Sequence, residues 1–325
     1  MQPILHLIRS AALLGAAALA GTPALAQAWQ PTQPIKLVVP WAPGGTTDVI
    51  ARVLSEPLAK ALGQPVVVDN RAGAGGNIGT GMAVREKPDG TTLILVTSTT
   101  QAINPHLYAK LPFDPAKDFT SVVWIGSVPN ILVVAPKSPI KSVADLLERA
   151  RKEPGKLSFA SGGNGSSQHI AGAMLESAAR TDLLHVPYKG GGPAATDLMA
   201  GQVDIMLDTG SMGHIKGGTL RAVAVASAKR IPALPNLPTF AEAGLPGMET
   251  GAWYGVMGPA GMPKEVVARL NAEFNKILKD PAIVKRLQDI GAQVGGGTPA
   301  EFETFAAQEL KRYAEVIKQR GVKIE

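Results

Sequence analysis

The stretch Pro40-Trp41-Ala42-Pro43-Gly44-Gly45-Thr46-Thr47-Asp48 constrains the fold more than any other part of the chain. It follows a short apolar run at 35–39 and precedes Val49, Ile50, Val53, Leu54, Leu58, Ala61 and Leu62, whose spacing suits one face of a helix. The stretch is therefore predicted to turn a strand into a helix. Its two adjacent glycines let the backbone turn sharply and approach a ligand, and Thr46, Thr47 and Asp48 are residue types that cap a helix start. The unpaired N–H groups of a first helical turn, aligned with the helix dipole, make a place for an anion. An ordinary capped turn would read the same way taken alone. The pattern recurs, however, at Gly73-Ala74-Gly75-Gly76-Asn77, at Ser161-Gly162-Gly163-Asn164-Gly165-Ser166-Ser167 and at Lys189-Gly190-Gly191-Gly192-Pro193.

Between these turns, apolar runs at 66–68, 92–96, 157–160, 183–186, 203–207 and 221–226 alternate with helical patterns at 78–85, 170–179 and 194–199. Such alternation predicts an α/β chain with parallel, doubly wound sheets, in which ligands sit outside the carboxyl ends of strands. The Gly44-Gly45 turn and the Thr97-Ser98-Thr99-Thr100 turn both fall at such ends. Ser142-Val143-Ala144-Asp145 reads as a capping box, and after it the second half repeats the logic of the first, which predicts two similar lobes. From Pro263 the chain is helical, with Thr298-Pro299-Ala300-Glu301 capping a long final helix. These helices have no lobe of their own and are expected to pack back on the first, so that the chain crosses between lobes near Ser127 and again near Gly251. Lobe 1 then comprises residues 27–126 and 252–325, and lobe 2 residues 127–251.

Residues 1–26 carry Arg9, a small and apolar run at 11–20, and Ala24-Leu25-Ala26, the pattern of a cleaved export signal. The run is too short and interrupted for a spanning helix, which needs about 20 apolar residues. The chain has no cysteine, so it offers no lipid-anchored thiol and no disulfide. A periplasmic protein without a lipid anchor is expected. The formal net charge is +6, yet basic residues are spread among acids without a run, so nucleic acid is not indicated as a partner.

Two enzymatic readings compete. Gly73-Ala74-Gly75-Gly76-Asn77-Ile78-Gly79 follows a strand, but its spacing is not the dinucleotide fingerprint, and no Gly-Lys-Ser or Gly-Lys-Thr follows any loop. Ser167 and His169 could suggest a hydrolase, but no G-x-S-x-G elbow is present and residues two apart do not face each other on a helix. The five histidines show no metal-ligand spacing, so neither metal nor cofactor is expected. Trp41 and Tyr188 could stack on an aromatic ligand, and a lobe-packing role explains Trp41 equally well; Lys189 could meet a charge or solvent; Asp48 and Asp208 could meet a ligand amine or hydroxyl in the cleft, or cap the helix and shape a loop respectively.

Several ordered motifs together resemble the Bug family, the periplasmic solute receptors of tripartite tricarboxylate transporters. They are Ile35-Lys36-Leu37-Val38-Val39-Pro40 with Pro43-Gly44-Gly45 and Asp48, Val68-Asp69-Asn70-Arg71-Ala72-Gly73-Ala74-Gly75-Gly76, and Asp118-Phe119. Val186-Pro187-Tyr188-Lys189-Gly190, Asp197-Leu198-Met199-Ala200-Gly201-Gln202-Val203-Asp204 and Pro238-Thr239-Phe240-Ala241-Glu242-Ala243-Gly244 follow. The resemblance implies a type II periplasmic-binding-protein fold, two α/β lobes with a cleft and two crossover strands, closing on a small organic acid for delivery to a membrane permease. It implies a non-enzymatic monomer. The family's ligand loops fall on Gly44, Gly45, Thr46 and Thr47, on Thr97, Ser98 and Thr99, and on Ser161, Gly163, Asn164, Ser166, Ser167 and His169. Tyr188, Lys189 and Gly190 lie on a further loop, and Asp208 follows a strand. Many relatives carry a hydroxyl where this chain has Asn164. A tricarboxylate, a linear dicarboxylate, an acidic amino acid and an aromatic acid all suit these loops, and an exported hydrolase or nucleotide-dependent enzyme is the alternative.

Overall fold

The structure, a computed structural model, describes residues 29–320. The expected export signal lies outside the described residues, as does His6. From Pro31 onward the chain belongs to one compact unit.

Alternation of apolar strands and amphipathic helices builds two sheets. The first has the strand order β11-β4-β10-β3-β1-β2, with β1 Ile35–Val39, β2 Val66–Asn70, β3 Thr92–Thr97, β4 Phe119–Pro129, β10 Gly251–Pro259 and β11 Gln293–Val294. The second has the order β7-β6-β8-β5-β9, with β5 Ile131–Val134, β6 Ser158–Ser161, β7 Leu184–Pro187, β8 Ile205–Asp208 and β9 Arg221–Val225. The helices are α1 Thr46–Leu62, α2 Asn77–Ala83, α3 Asn104–Leu107, α4 Val143–Lys152, α5 Ser167–Ala179, α6 Gly191–Met199, α7 Met212–Lys216, α8 Lys264–Ile277, α9 Pro281–Asp289 and α10 Pro299–Arg320. Each sheet with its helices is one lobe.

The sheets are mixed, not wholly parallel. β1 pairs parallel with β2 and β3, but β10 lies antiparallel between β3 and β4. In the second sheet β6 pairs parallel with β7 and β8, while β5 is antiparallel to β8 and β9. The reason is connectivity: β5 continues β4 from the first lobe and β10 returns from the second, so each enters its sheet from the end opposite to the βα-linked strands.

The two crossing segments run side by side. Asn130 N–H donates to Thr250 O at 3.0 Å, Thr250 N–H to Ala226 O at 3.0 Å and Ala226 N–H to Asn130 O at 2.8 Å. A Cβ on Gly251 would stand 2.5 Å from Val128 O, so only glycine permits this approach. The capping box predicted at Ser142 and Asp145 is present, because it is built from neighbours in sequence. Thr298 and Glu301 likewise cap α10 reciprocally. The C-terminal helices pack on the first sheet. Phe302 and Phe305 of α10 stand against Trp253 of β10 with ring centroids 5.9 and 5.5 Å away, and Asn271 of α8 donates to Val122 O at 2.8 Å.

Candidate functional site

α1 begins on the Gly44-Gly45 turn, with Gly45 as its N-cap and no side-chain cap. Thr46 and Thr47, read from the sequence as capping types, lie inside its first turn. Asp48 does not cap α1 either. It is buried and accepts from Gly44 N–H at 3.0 Å and from Arg52 Nε at 3.0 Å, which folds the turn back onto the helix. Burial of Asp48 favours its neutral form, but the bonds from Arg52 and Gly44 outweigh it and hold the carboxyl below the usual range. α6 starts the same way, with Gly190 as N-cap and no side-chain cap. α5 is capped by Ser166, whose Oγ accepts from His169 N–H at 3.2 Å.

The starts of these three helices meet between the lobes. Gly45, Thr46 and Thr47 of the first lobe, with Thr97 and Thr99 beyond β3, face Gly162, Ser166, Ser167, Gln168 and Gly191 of the second around a cavity of about 40 Å³. Thr209, Ala252, Tyr254 and Trp41 complete its wall. A direct latch joins the lobes beside it: Thr46 Oγ1 lies 2.8 Å from Thr209 Oγ1, which lies 3.2 Å from the Tyr254 hydroxyl. Burial pushes the Tyr254 hydroxyl well above its ordinary range, so it remains protonated. Hydroxyls, amide groups and helix N-termini line this cavity, and among the described residues no charged side chain does. Such a wall suits an anion through dipoles and N–H groups.

Of the residues expected from sequence, Gly45, Thr46, Thr47, Thr97, Thr99, Ser166 and Ser167 converge on this cavity. Gly163, Asn164, Tyr188 and Lys189 line a second, outer space of about 540 Å³ between the lobes. Gly44 is exposed at the turn, and Gly190 sits where a Cβ would stand 3.2 Å from Ala42 Cβ of the other lobe. Four residues take other positions. Ser98 is fully buried between Thr97 and Thr99, and its Oγ meets no hydrogen-bond partner among the described residues. Asp208 lies behind the wall, accepting from Gln168 Nε2 at 3.1 Å and Ser211 Oγ at 2.6 Å. Ser161 Oγ lies 2.7 Å from His185 Nε2, and His169 stacks on His185 with ring centroids 4.1 Å apart. Gln168, Gly191, Thr209 and Tyr254 were not anticipated. A polar residue just beyond Ser167 at a helix start was the available signal for Gln168; Thr209 and Tyr254 reach the cavity by tertiary folding alone.

The histidine pair braces the Ser161–Ser167 turn from behind. His169 Nδ1 accepts from Gly165 N–H at 3.1 Å, and the Phe159 ring stacks on His185 at 4.7 Å. Burial pushes both imidazoles down to about 4, with His169 adding to the effect on His185. Free histidine titrates near 6.5, so between about 6.5 and 4 the unfolded chain binds more protons than the folded one. Stability from this pair is therefore full above about pH 6.5 and is lost as pH falls toward 4, with a slope of up to about 1.4 kcal/mol per pH unit per histidine. Melting temperatures measured from pH 7.5 to 4 should fall along this window, and His185→Phe should flatten the fall. An unchanged slope in the variant would show that other groups set the acid response.

Two lobes joined by two crossing strands, with helix N-termini facing a cleft, define the periplasmic-binding-protein class. Residues 50–322 match the family described as the tripartite tricarboxylate transporter family receptor, TctC. The chain belongs to this family. It is similar to Protein BugT of Bordetella pertussis, 38% identical over 297 residues that cover 90% of this chain and 91% of that protein. Among solved structures it resembles R. palustris Rpa4515 with adipate, at a TM-score of 0.88 and 38% identity, covering 90% of this chain and 99% of that one. MatC from Rhodopseudomonas palustris with bound malate gives 0.84 and 34%, covering 88% and 99%. Among the described residues no helix is long and apolar enough to cross a membrane.

Proposed function

We propose that this chain is a periplasmic receptor that captures a small carboxylate between its lobes, performs no chemistry on it, and delivers it to the permease of a tripartite tricarboxylate transporter. The observation that carries this reading is the convergence of the α1, α5 and α6 N-termini on one cavity walled by hydroxyls and amides. The adipate and malate held by two relatives support it.

In this reading Gly45, Thr46, Thr47, Thr97, Thr99, Ser166 and Ser167 hold the carboxylate directly, joined by Gln168, Gly191 and Thr209. Ser161, His169 and Asp208 shape the loops from behind, and Ser98 lies buried between Thr97 and Thr99. The lobes are residues 27–126 with 252–325, and 127–251, consistent with the change of sheet around Asn130. The receptor acts as a monomer, exported by a cleaved signal at 1–26 and free of a lipid anchor.

The energetics favour a two-lobed site. Micromolar affinity needs about 8 kcal/mol. A hydrogen bond to a charged group contributes about 1.5–3 kcal/mol and a helix N-terminus about 0.3–1. Roughly four to six such interactions are needed once the cost of association is included. One turn cannot supply them, whereas facing lobes that exclude water can.

A thermal-shift screen of the chain from Gln27 against organic acids, amino acids, sugars and nucleotides tests the proposal. A ligand at a hundred times its Kd adds about 2.7 kcal/mol, a rise of a few degrees. Carboxylates alone should raise the melting temperature. A shift with nucleotides or neutral sugars only would refute the receptor reading and return the glycine turns to an enzymatic one.

A further inference from the structure

The inner cavity is small, at about 40 Å³, beside an outer space of about 540 Å³. The two meet at Trp41 and Gly162, the residues that line both, so a solute whose carboxylate head enters the inner cavity can extend its body into the outer space.

The outer space is a slot between the lobes with aromatic side chains in its wall. Trp41 and Tyr108 of the first lobe and Tyr188 of the second present three aromatic rings, and the glycines of the facing turns add no side chains. The rings are held in place. Asn70 Nδ2 donates to Trp41 O at 3.0 Å, and a Cβ on Gly76 would stand 3.3 Å from the indole. Tyr188 donates to Asp197 Oδ2 at 2.8 Å, and Tyr108 donates to Asn164 O at 3.4 Å across the lobes. The indole N–H of Trp41 is shielded from solvent and meets no acceptor among the described residues, although a buried indole N–H ordinarily finds one.

We propose that this receptor selects carboxylates with a planar, ring-bearing body, the head held in the inner cavity and the ring lying against Trp41, Tyr108 and Tyr188. This rests on the receptor reading above. A short hydroxylated dicarboxylate would set its second charge against these ring faces, where the exposed Lys189 is the cation that lines the slot.

Calorimetric titration of the receptor with benzoate, adipate and malate tests the selectivity. Benzoate should bind at least tenfold tighter than malate, with adipate between them. Trp41→Leu should weaken benzoate at least tenfold more than it weakens malate, and Trp41→Phe, which keeps a ring but removes the N–H, should fall between. Malate binding as tightly as benzoate, equal weakening of both by Trp41→Leu, or no benzoate binding while another carboxylate binds would each overturn the proposal. Adipate binding tighter than benzoate would also overturn it, because length would then be read and not planarity. If no carboxylate of any kind binds, the receptor reading itself fails, an outcome distinct from a reversed order of affinities.

Discussion

Replacing Gly192 with leucine should abolish high-affinity binding while leaving the fold at least as stable as before. Gly192 lies in the first turn of α6, and a Cβ built on it would stand 2.9 Å from Pro43 O of the opposite lobe. That oxygen is backbone, so the clash cannot be relieved by a rotamer change, and the rest of a leucine side chain would wedge the cleft open. Within its own helix the substitution is favourable, since glycine costs about 1 kcal/mol relative to good helix formers. Closure and folding are thereby separated. With the second lobe held away from the bound carboxylate, an increase in Kd of at least a hundredfold is expected, equivalent to about 2.7 kcal/mol or more. Calorimetric titration beside a melting curve checks this. Affinity retained within threefold would show that the ligand is held by one lobe alone, and a large fall in melting temperature would show that Gly192 is needed for the fold.

Phe302→Ala should be the most damaging truncation in the C-terminal helices. Phe302 is 1% exposed, packs edge-on against Trp253, and lies so close to Gly255 that a Cβ there would stand 2.1 Å from its ring. With Phe305, it fixes α10 to Trp253 of β10. Removing a buried phenylalanine costs about 3–5 kcal/mol, from the transfer energy forfeited and the cavity left behind. At about 2–4 °C per kcal/mol, the melting temperature should fall by roughly 10 °C. The pairing with Gly255 supplies a control: Gly255→Ala alone should destabilise by overpacking, and should cost much less in the Phe302→Ala background. Additive effects of the two changes would show that the ring and the glycine do not share this space.

These two sites differ in how far their role could be read along the chain. Gly192 sits in a glycine turn that the local pattern marks as a helix start near a ligand, and the resemblance of the motifs to solute receptors places that turn near the cleft. The caps of α4 and α10 are legible for the same reason: capping depends on residues three or four apart. Thr46 and Thr47 are legible as site residues through the Gly44-Gly45 turn beside them.

Local pattern could not set side-chain direction where distant elements compete for the same group. Ser98 and His169 lie on loops that do reach the cleft, yet the first is fully buried outside the cavity wall and the second is drawn into a stack with His185 and Phe159. Asp208 is turned behind the wall by Gln168 and Ser211. The direction of β10 and the reversal of β5 were equally hidden, because they follow from which lobe the chain arrives from. The sequence by itself thus determined the α/β alternation, the family, the caps of α4 and α10 and the class of ligand group that glycine-rich helix starts attract, all of which rest on short-range stereochemistry. Only the tertiary structure decided that Thr46 meets Thr209 at 2.8 Å, that Tyr254 closes the latch and that the starts of α1, α5 and α6 share one cavity. Those meetings join residues far apart in the chain, and their geometry is set by how two sheets pack and close and by no property of the residues alone.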